Sequence, residues 1–360
     1  MTQFIARRFV LAVPVLIGIL FATFALARML PSDPCRAVLG ERATDEICDA
    51  FMERNGLNEP IPVQFVIYLK QILIERDLGE SFRFGRPVID IIVERLPVTV
   101  ELAISAMIFA TTFGILFGVI SAYWHNSSVD VSTMIGANIG ISIPVFVLGL
   151  LLQYIFALLL RDTILALPPS GRLSPGISNP PFYEVYGMNI EEGTTIFIIF
   201  SFIANLNIFN ALITANWEAF GDAIKHMILP AIAVGTIPLA IIARITRSTL
   251  LEVLSLDYIR TARAKGLAEV GVVFRHGLSN ALLPVVTIVG LQLGYLLSGA
   301  VLTETIFNLA GLGRALFEAI TARDYVIVQG FTLIIAVGFV FVNLIVDISY
   351  AFLDPRIRLS

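Results

Sequence analysis

Residues 247–284 read RSTLLEVLSLDYIRTARAKGLAEVGVVFRHGLSNALLP. The stretch carries Arg247, Arg260, Arg263, Lys265 and Arg275, with Arg244 just before it. Apolar runs flank it, Met227–Ile245 just before and Ala281–Leu302 from its end onward. Each run is about the 20 residues that a helix needs to cross the hydrocarbon core. Lys and Arg accumulate in the cytoplasmic loops of membrane proteins. A dense basic loop between two apolar runs therefore sets the fold class and orients it.

The rest of the chain agrees. Of its 360 residues 57% are hydrophobic and 14% charged, and a net charge of -4 says little about partners. Soluble domains carry about a quarter charged residues, so this composition predicts an all-α polytopic membrane protein. Four further runs, Phe9–Leu30, Val98–Tyr123, Val131–Leu160 and Val326–Phe352, bring the expected transmembrane helices to six. They are too long for strands and lack strand alternation. Pro14, Pro144, Pro230, Pro238 and Pro284 lie in or beside these runs. They mark kinks that neighbouring helices can satisfy, or simply the ordinary proline usage of membrane helices.

Thr194–Ile213 is also long and apolar, but it carries Asn205, Asn207 and Asn210, which are costly in lipid. Charge placement decides how to read it. Arg7 and Arg8 precede the first run and Arg356 and Arg358 follow the last. Six crossings put both termini and the basic loop in the cytoplasm, whereas a seventh would invert one of them. The segment 194–213 is therefore expected to be re-entrant or interfacial on the outer side. The short 123–131 connection has no Lys or Arg and does not contribute to this argument. The first run exceeds the 7–15 apolar residues of a signal peptide and reads as an uncleaved helix.

Between the first two crossings, residues 31–97 form an expected extracytoplasmic subdomain. Thr44 and Asp45 can cap a helix running to Arg54, Asn55-Gly56 ends it, and a second helix is expected near Val63–Glu75. Both cysteines, Cys35 and Cys48, fall here. A bridge across 13 positions would contribute about 3 kcal/mol by the chain-entropy estimate, and this compartment favours oxidation. Two separate thiols are the other possibility. A second outer insertion, 161–226, is rich in Pro, Gly and Ser, and Trp217 suits an interfacial anchor. The remaining organisation is an N-terminal helix over 1–30, a core over 98–353 and a cytoplasmic tail over 354–360.

Within the basic loop Leu256, Ile259, Ala262 and Arg263 recur at helical spacing and Gly266 breaks the pattern. Ala262, Ala264 and Gly266 are small enough for close approach by another surface. Physically this is either a helix docked on a partner or an ordinary positive-inside loop. DYIRTARAKGL and RHGLSNALLPV resemble the cytoplasmic EAA loop of binding-protein-dependent ABC importer permeases, of the DppB/OppB-like dipeptide and oligopeptide type. Similar blocks continue in order along nearly the whole chain. GERATDE and NEPIPVQFVIYL come first, followed by DLGESFRFGRPVIDIIVERLPVTVELA, ISIPVFVLGLLL and HMILPAIAVGTIPLAIIARITRSTLLEVL. LTETIFNLAGLGRALFEAITARDYVIVQG and VDISYAFLDPRIR close the series. Arg260-Thr261-Ala262 replaces Glu-Ala-Ala, Ala310 and Val326 stand where proline is common, and the cysteines look like additions.

The resemblance implies a type I importer permease fold and half of a translocation pathway for peptides. It implies as partners a second permease of the DppC/OppC-like kind, two ABC ATPase subunits that use ATP and Mg, and an extracytoplasmic binding protein. Coupling falls to Asp257, Tyr258, Arg260, Ala262, Arg263, Ala264, Lys265 and Gly266. Relatives also carry nickel complexes and other small solutes, so those remain alternatives.

From the residues themselves, no G-x-x-x-x-G-K-[ST] loop is present, so an enzyme that hydrolyses its own ATP is not expected. His125, His226 and His276 have no metal-ligand spacing, and nothing suggests nucleic acid. Glu101, Gln153, Gln292, Asn343 and Asp347 are polar groups in or near the spans. Glu101 and Asp347 are read as structural, and Gln292 as the pathway-facing group. A gradient-driven secondary transporter would show inverted repeats and mid-membrane acids, and neither stands out.

Overall fold

The computed structural model describes residues 2–29, 35, 36, 43–54, 56–81, 83–191, 193–297 and 301–353. The expected tail 354–360, with Arg356 and Arg358, lies outside them. Regular structure among the described residues is helical, apart from one isolated bridge between Glu80 and Pro87.

Among the described residues five helices contain stretches long and apolar enough to span. They are α1 (Thr2–Met29), α4 (Val88–Tyr123), α10 (Trp217–Leu254), α12 (Glu269–Leu297) and α15 (Tyr325–Leu353). Helix α4 starts well before the expected Val98. Its first turns carry Asp90, Glu94 and Arg95, which interrupt the apolar run. Val88, Ile91 and Ile92 nevertheless bury one face against Leu312, Ala315, Ile327 and Phe331. Helix α10 has 38 residues, about 57 Å at 1.5 Å per residue, and so outreaches a core about 30 Å thick.

The expected crossing Val131–Leu160, in which Pro144 marks a kink, is broken into two helices. It is α5 (Ser128–Ser142) followed by α6 (Val145–Leu159), bent by 102°. The cause is local. Pro144 disfavours the helical conformation at the residue before it, and Ile143 is extended at φ -94, ψ 125. The segment 194–213 is likewise two helices, α8 (Thr195–Ala204) and α9 (Asn207–Ile213), bent by 96°. If each bent pair counts as one span, the total is seven.

The core is the seam between α4 and α10. Ala103, Ala106 and Ala110 of α4 bury against a cluster that includes Ala233, Leu239, Ile242 and Ala243 of α10. At Gly118 an added Cβ would lie 2.5 Å from Thr246 Cβ and 2.7 Å from the Ala243 carbonyl oxygen. At Gly114 it would lie 2.9 Å from the Leu239 carbonyl, and at Gly235 2.8 Å from the Ala106 carbonyl. Lipid is as apolar as leucine, so helices associate there through close packing of small residues.

Before the seam lie α2 (Asp45–Arg54) and α3 (Ile61–Lys70), the latter widening to i→i+5 bonding over Gln71–Glu75. Cys35 and Cys48 are joined by a disulfide. Both helices fall where the capping residues and Gly56, at φ +62, predict them.

Gly118→Ala should cost about 1–3 kcal/mol through overpacking. Gly136→Ala, with nothing within 4 Å of the new methyl, should be neutral or add about 0.5–1 kcal/mol. Thermal unfolding of the two variants in detergent compares them, and equal midpoints would remove the seam's role. Alkylation of the denatured chain should add no mass without reductant and two adducts with it.

Candidate coupling site at the basic end

Helix α11 (Asp257–Ala264) follows α10 after a short break at Ser255 and Leu256. Asp257 in its first turn and Arg263 in its last suit the helix dipole. It ends in a Schellman motif. The Gly266 N–H donates to the Arg263 carbonyl at 2.9 Å and the Leu267 N–H to the Ala262 carbonyl at 3.4 Å. Gly266 takes φ +76, a conformation that a Cβ makes costly.

Two buried side chains and two polar ones hold α11 to the body. Ile259 and Ala262, one turn apart, bury against Val272 and Leu254. The Arg263 guanidinium forks onto Glu269 at 3.0 and 2.6 Å. Hydrogen bonding to that carboxylate holds Arg263 above the ordinary arginine value. The Tyr258 hydroxyl accepts from Asn280 Nδ2 at 3.0 Å and donates to the His276 carbonyl at 3.4 Å. Arg260 pairs with Asp257 at 3.1 Å, both well exposed, a type of pair that contributes little. Beneath this element α12 widens to i→i+5 bonding over Val272–Leu278, with Gly277 against Leu250 and Leu254.

The expected residues therefore gather on one short element but divide by face. Asp257, Tyr258, Arg260, Ala264, Lys265 and Gly266 are exposed. Ala262 faces its own chain rather than outward. Leu256, Tyr258, Leu267, Val270 and Phe274 leave an apolar surface open beside the charges. Gln292 is not part of this group. It is half-buried on α12, about 35 Å of helix beyond Glu269.

Residues 114–359 match the family described as binding-protein-dependent transport system inner membrane component, and residues 1–103 match the description of its N-terminal part. The chain belongs to this family. It is 44% identical to the dipeptide transport system permease protein DppB of Alkalihalophilus pseudofirmus, covering 99% of this chain and 100% of the relative. It is also 44% identical to the di/tripeptide transport system permease protein DppB of Pseudomonas aeruginosa, over 99% of both chains. The dipeptide permease DppB of Escherichia coli is 43% identical, again over 99% of both.

One contact that sequence reasoning missed lies on α10 about 15 Å of helical rise before α11. Asp130, in the first turn of α5, receives Arg247 of α10 through Nε at 2.8 Å and Nη2 at 2.7 Å. It also accepts from Ser121 Oγ at the end of α4 and from the Asn126 N–H at 2.9 Å. One buried carboxylate thus ties α4, the 124–127 turn, α5 and α10 together. The signal was an acid following Ser127, whose hydroxyl accepts from the Asp130 N–H at 3.4 Å, in a connection without Lys or Arg.

At the opposite end Glu101 plays the structural part expected of it. It accepts from Arg172 at 2.8 Å and from the Ile208 N–H at 2.7 Å, fixing the 161–226 insertion to α4. Of the three asparagines of 194–213, Asn210 meets its polar needs in the same insertion, while Asn205 and Asn207 accept there through backbone carbonyls from Arg172 and Asn179. Buried Asn210 accepts from the Phe182 N–H and donates to Asn179 and to the Pro180 carbonyl, each at 2.9 Å. Gln153 Nε2 donates to the Pro169 and Ile306 carbonyls at 2.6 and 3.1 Å.

Asp130→Asn should lower stability by about 1.5–3 kcal/mol, the range for a hydrogen bond to a charged group. The double variant Asp130→Arg with Arg247→Asp should recover part of that loss. Unfolding midpoints of the single and double variants measure the coupling. Additive losses would show that the pair does not act as a unit.

Proposed function

We propose that this chain is one of two permease subunits of an ATP-driven importer and that its cargo is dipeptides. The observation that carries the proposal is the short helix α11, which presents exposed charge and apolar side chains on a minimal attachment, in a chain so similar to dipeptide permeases. Its partners are a second permease, two ATPase subunits that bind ATP and Mg, and a binding protein that delivers the peptide. The chain itself supplies no ATP chemistry.

In this reading α1, α4, the bent α5–α6 pair, α10, α12 and α15 make six crossings. The α8–α9 pair stays on the outer side, held by Asn210, Arg172 and Glu101. Both termini and α11 then face the cytoplasm, as the basic residues require. An ATPase subunit receives Tyr258, Ala264, Lys265 and Leu267 in a surface cleft. When that cleft moves, α11 moves with it and α10 follows. The pathway then passes between outward and inward access, an equilibrium that both ATP and peptide bias. Similarity to dipeptide permeases favours peptides over nickel complexes or other small solutes, and over a gradient-driven carrier.

Reconstitution with the partner subunits tests the proposal. Dipeptide uptake should require ATP, and the chain alone should show neither ATPase activity nor uptake. Gradient-driven uptake by the chain alone would overturn the reading. Gly266→Asp places a Cβ in a left-handed conformation, at a strain of about 1–2 kcal/mol, on the docking surface. It should uncouple hydrolysis from uptake while the membrane helices remain inserted. Unchanged uptake would count against docking at α11.

A further inference from the structure

The helix after the disulfide-linked α2 is apolar on both sides. From Ile61 to Ile74 the sequence IPVQFVIYLKQILI has no acidic residue and a single cation, Lys70. One face, with Phe65 and Tyr68 buried and Ile61, Leu69 and Ile72 beside them, packs on Leu20 and Phe24 of α1. The opposite face is exposed: Val63, Val66, Ile67, Leu73 and Ile74. A helix that is hydrophobic all round belongs in an apolar surrounding rather than on a wet surface.

Its contacts fix where that surrounding is. Phe65 lies 5.1 Å from Phe21 and 5.3 Å from Phe24, and Tyr68 lies 5.5 Å from Phe24, between ring centroids. These α1 residues belong to the apolar stretch Arg7–Leu26. Leu20 to Phe24 precede its end by about 3–9 Å of helical rise. The contact face of α3 therefore sits within the depth that α1 spans, and the far face is at that depth too. Around it α1 also exposes Ile17, Ile19 and Phe21, so the two helices form one continuous aliphatic belt. The polar groups sit where a headgroup layer would meet them. Arg28 closes the end of α1, stacked 3.5 Å over the Phe24 ring with Nε donating to Gln64. Gln64 Nε2 donates to the Leu57 and Glu59 carbonyls. Exposed Lys70, on a long stem, can reach a lipid phosphate from an apolar face.

We propose that residues 61–75 form a non-spanning helix seated in the bilayer, in the leaflet opposite the basic end, with Val63, Val66, Ile67, Leu73 and Ile74 against lipid. This divides the segment expected to be wholly extracytoplasmic. Polar α2 stays in water with its disulfide, and α3 lies in the membrane beside α1.

Photo-crosslinking in native membranes, with the transporter fully assembled, tests the proposal. Benzoylphenylalanine replaces Ile67 or Ile74, and exposed Glu59 serves as the reference position. Mass spectrometry of the irradiated chain should show single-phospholipid adducts at Ile67 and Ile74, several-fold above the yield at Glu59. Adducts to a protein at these positions would mean that a partner covers the face, and would overturn the proposal. Lipid yields no higher than at Glu59 would mean that the face is in water, and would overturn it equally.

Discussion

The backbones of α4 and α10 approach closely at three glycines. Gly114, Gly118 and Gly235 set that distance, since a single methyl at any of them would strike a carbonyl of the other helix. Everything else is placed relative to this pair. The bent α5–α6 segment packs Ala137 and Val145 on the same cluster, and α12 adds Val285 and Leu296. Because lipid supplies no hydrophobic drive between helices, the seam holds through dispersion over a tightly matched surface. Such a surface tolerates little sliding, so α4 and α10 behave as one body.

Polar pins close that body at its two ends. At the basic end Asp130 meets Arg247 across a separation of 117 residues, with the Asp130 side chain only 6% exposed and that of Arg247 29% exposed. At the other end Glu101 meets Arg172. A buried ion pair is weak evidence for net stability, because desolvation offsets much of the attraction. Its better-attested use is to specify one arrangement. Each carboxylate here accepts from at least two other elements, so a shifted helix would strand a charge in an apolar setting. The pins make the register of the seam costly to change.

What was legible in the sequence was local. Thr44-Asp45 and Gly56 mark the ends of α2, and Gly266 marks the end of α11, because caps and left-handed residues act within a few positions. The cysteines share one segment and are joined. The six apolar runs were legible as membrane segments, but not always as straight rods. The break at Ile143 follows from Pro144, yet an apolar count does not register a bend. The early start of α4 was hidden because Asp90 and Glu94 lie on the face away from Leu312 and Phe331, while Arg95, on the same face as Val88 and Ile92, is only 21% exposed. Asp130 with Arg247, and Asn210 with Asn179, are pairings that only the fold creates. Ala262 illustrates the same limit, since helical spacing puts it on a face with Ile259 but does not say whether that face meets its own chain or another.

The contrast in attachment between α11 and the seam bears on how force would travel. Helix α11 buries Ile259 and Ala262 and adds a half-exposed fork from Arg263 to Glu269 and the exposed Tyr258 hydroxyl bonded to Asn280 and His276. Burying a side chain such as isoleucine contributes about 1.5–3 kcal/mol, and an exposed pair contributes less than about 1 kcal/mol. A few kcal/mol therefore hold α11 in place, a scale that binding to a partner surface can match. The α4–α10 body resists deformation far more, since moving it opens the glycine seam and strands Asp130. A push on α11 would first act at Ser255 and Leu256, where helical bonding from α10 stops. Beyond that break α10 runs as one helix to Trp217, with Pro230 and Pro238 inside it. If α11 docks as proposed, a displacement there would reach the α4–α10 body as a whole, beside the widened turns of α12 over Val272–Leu278.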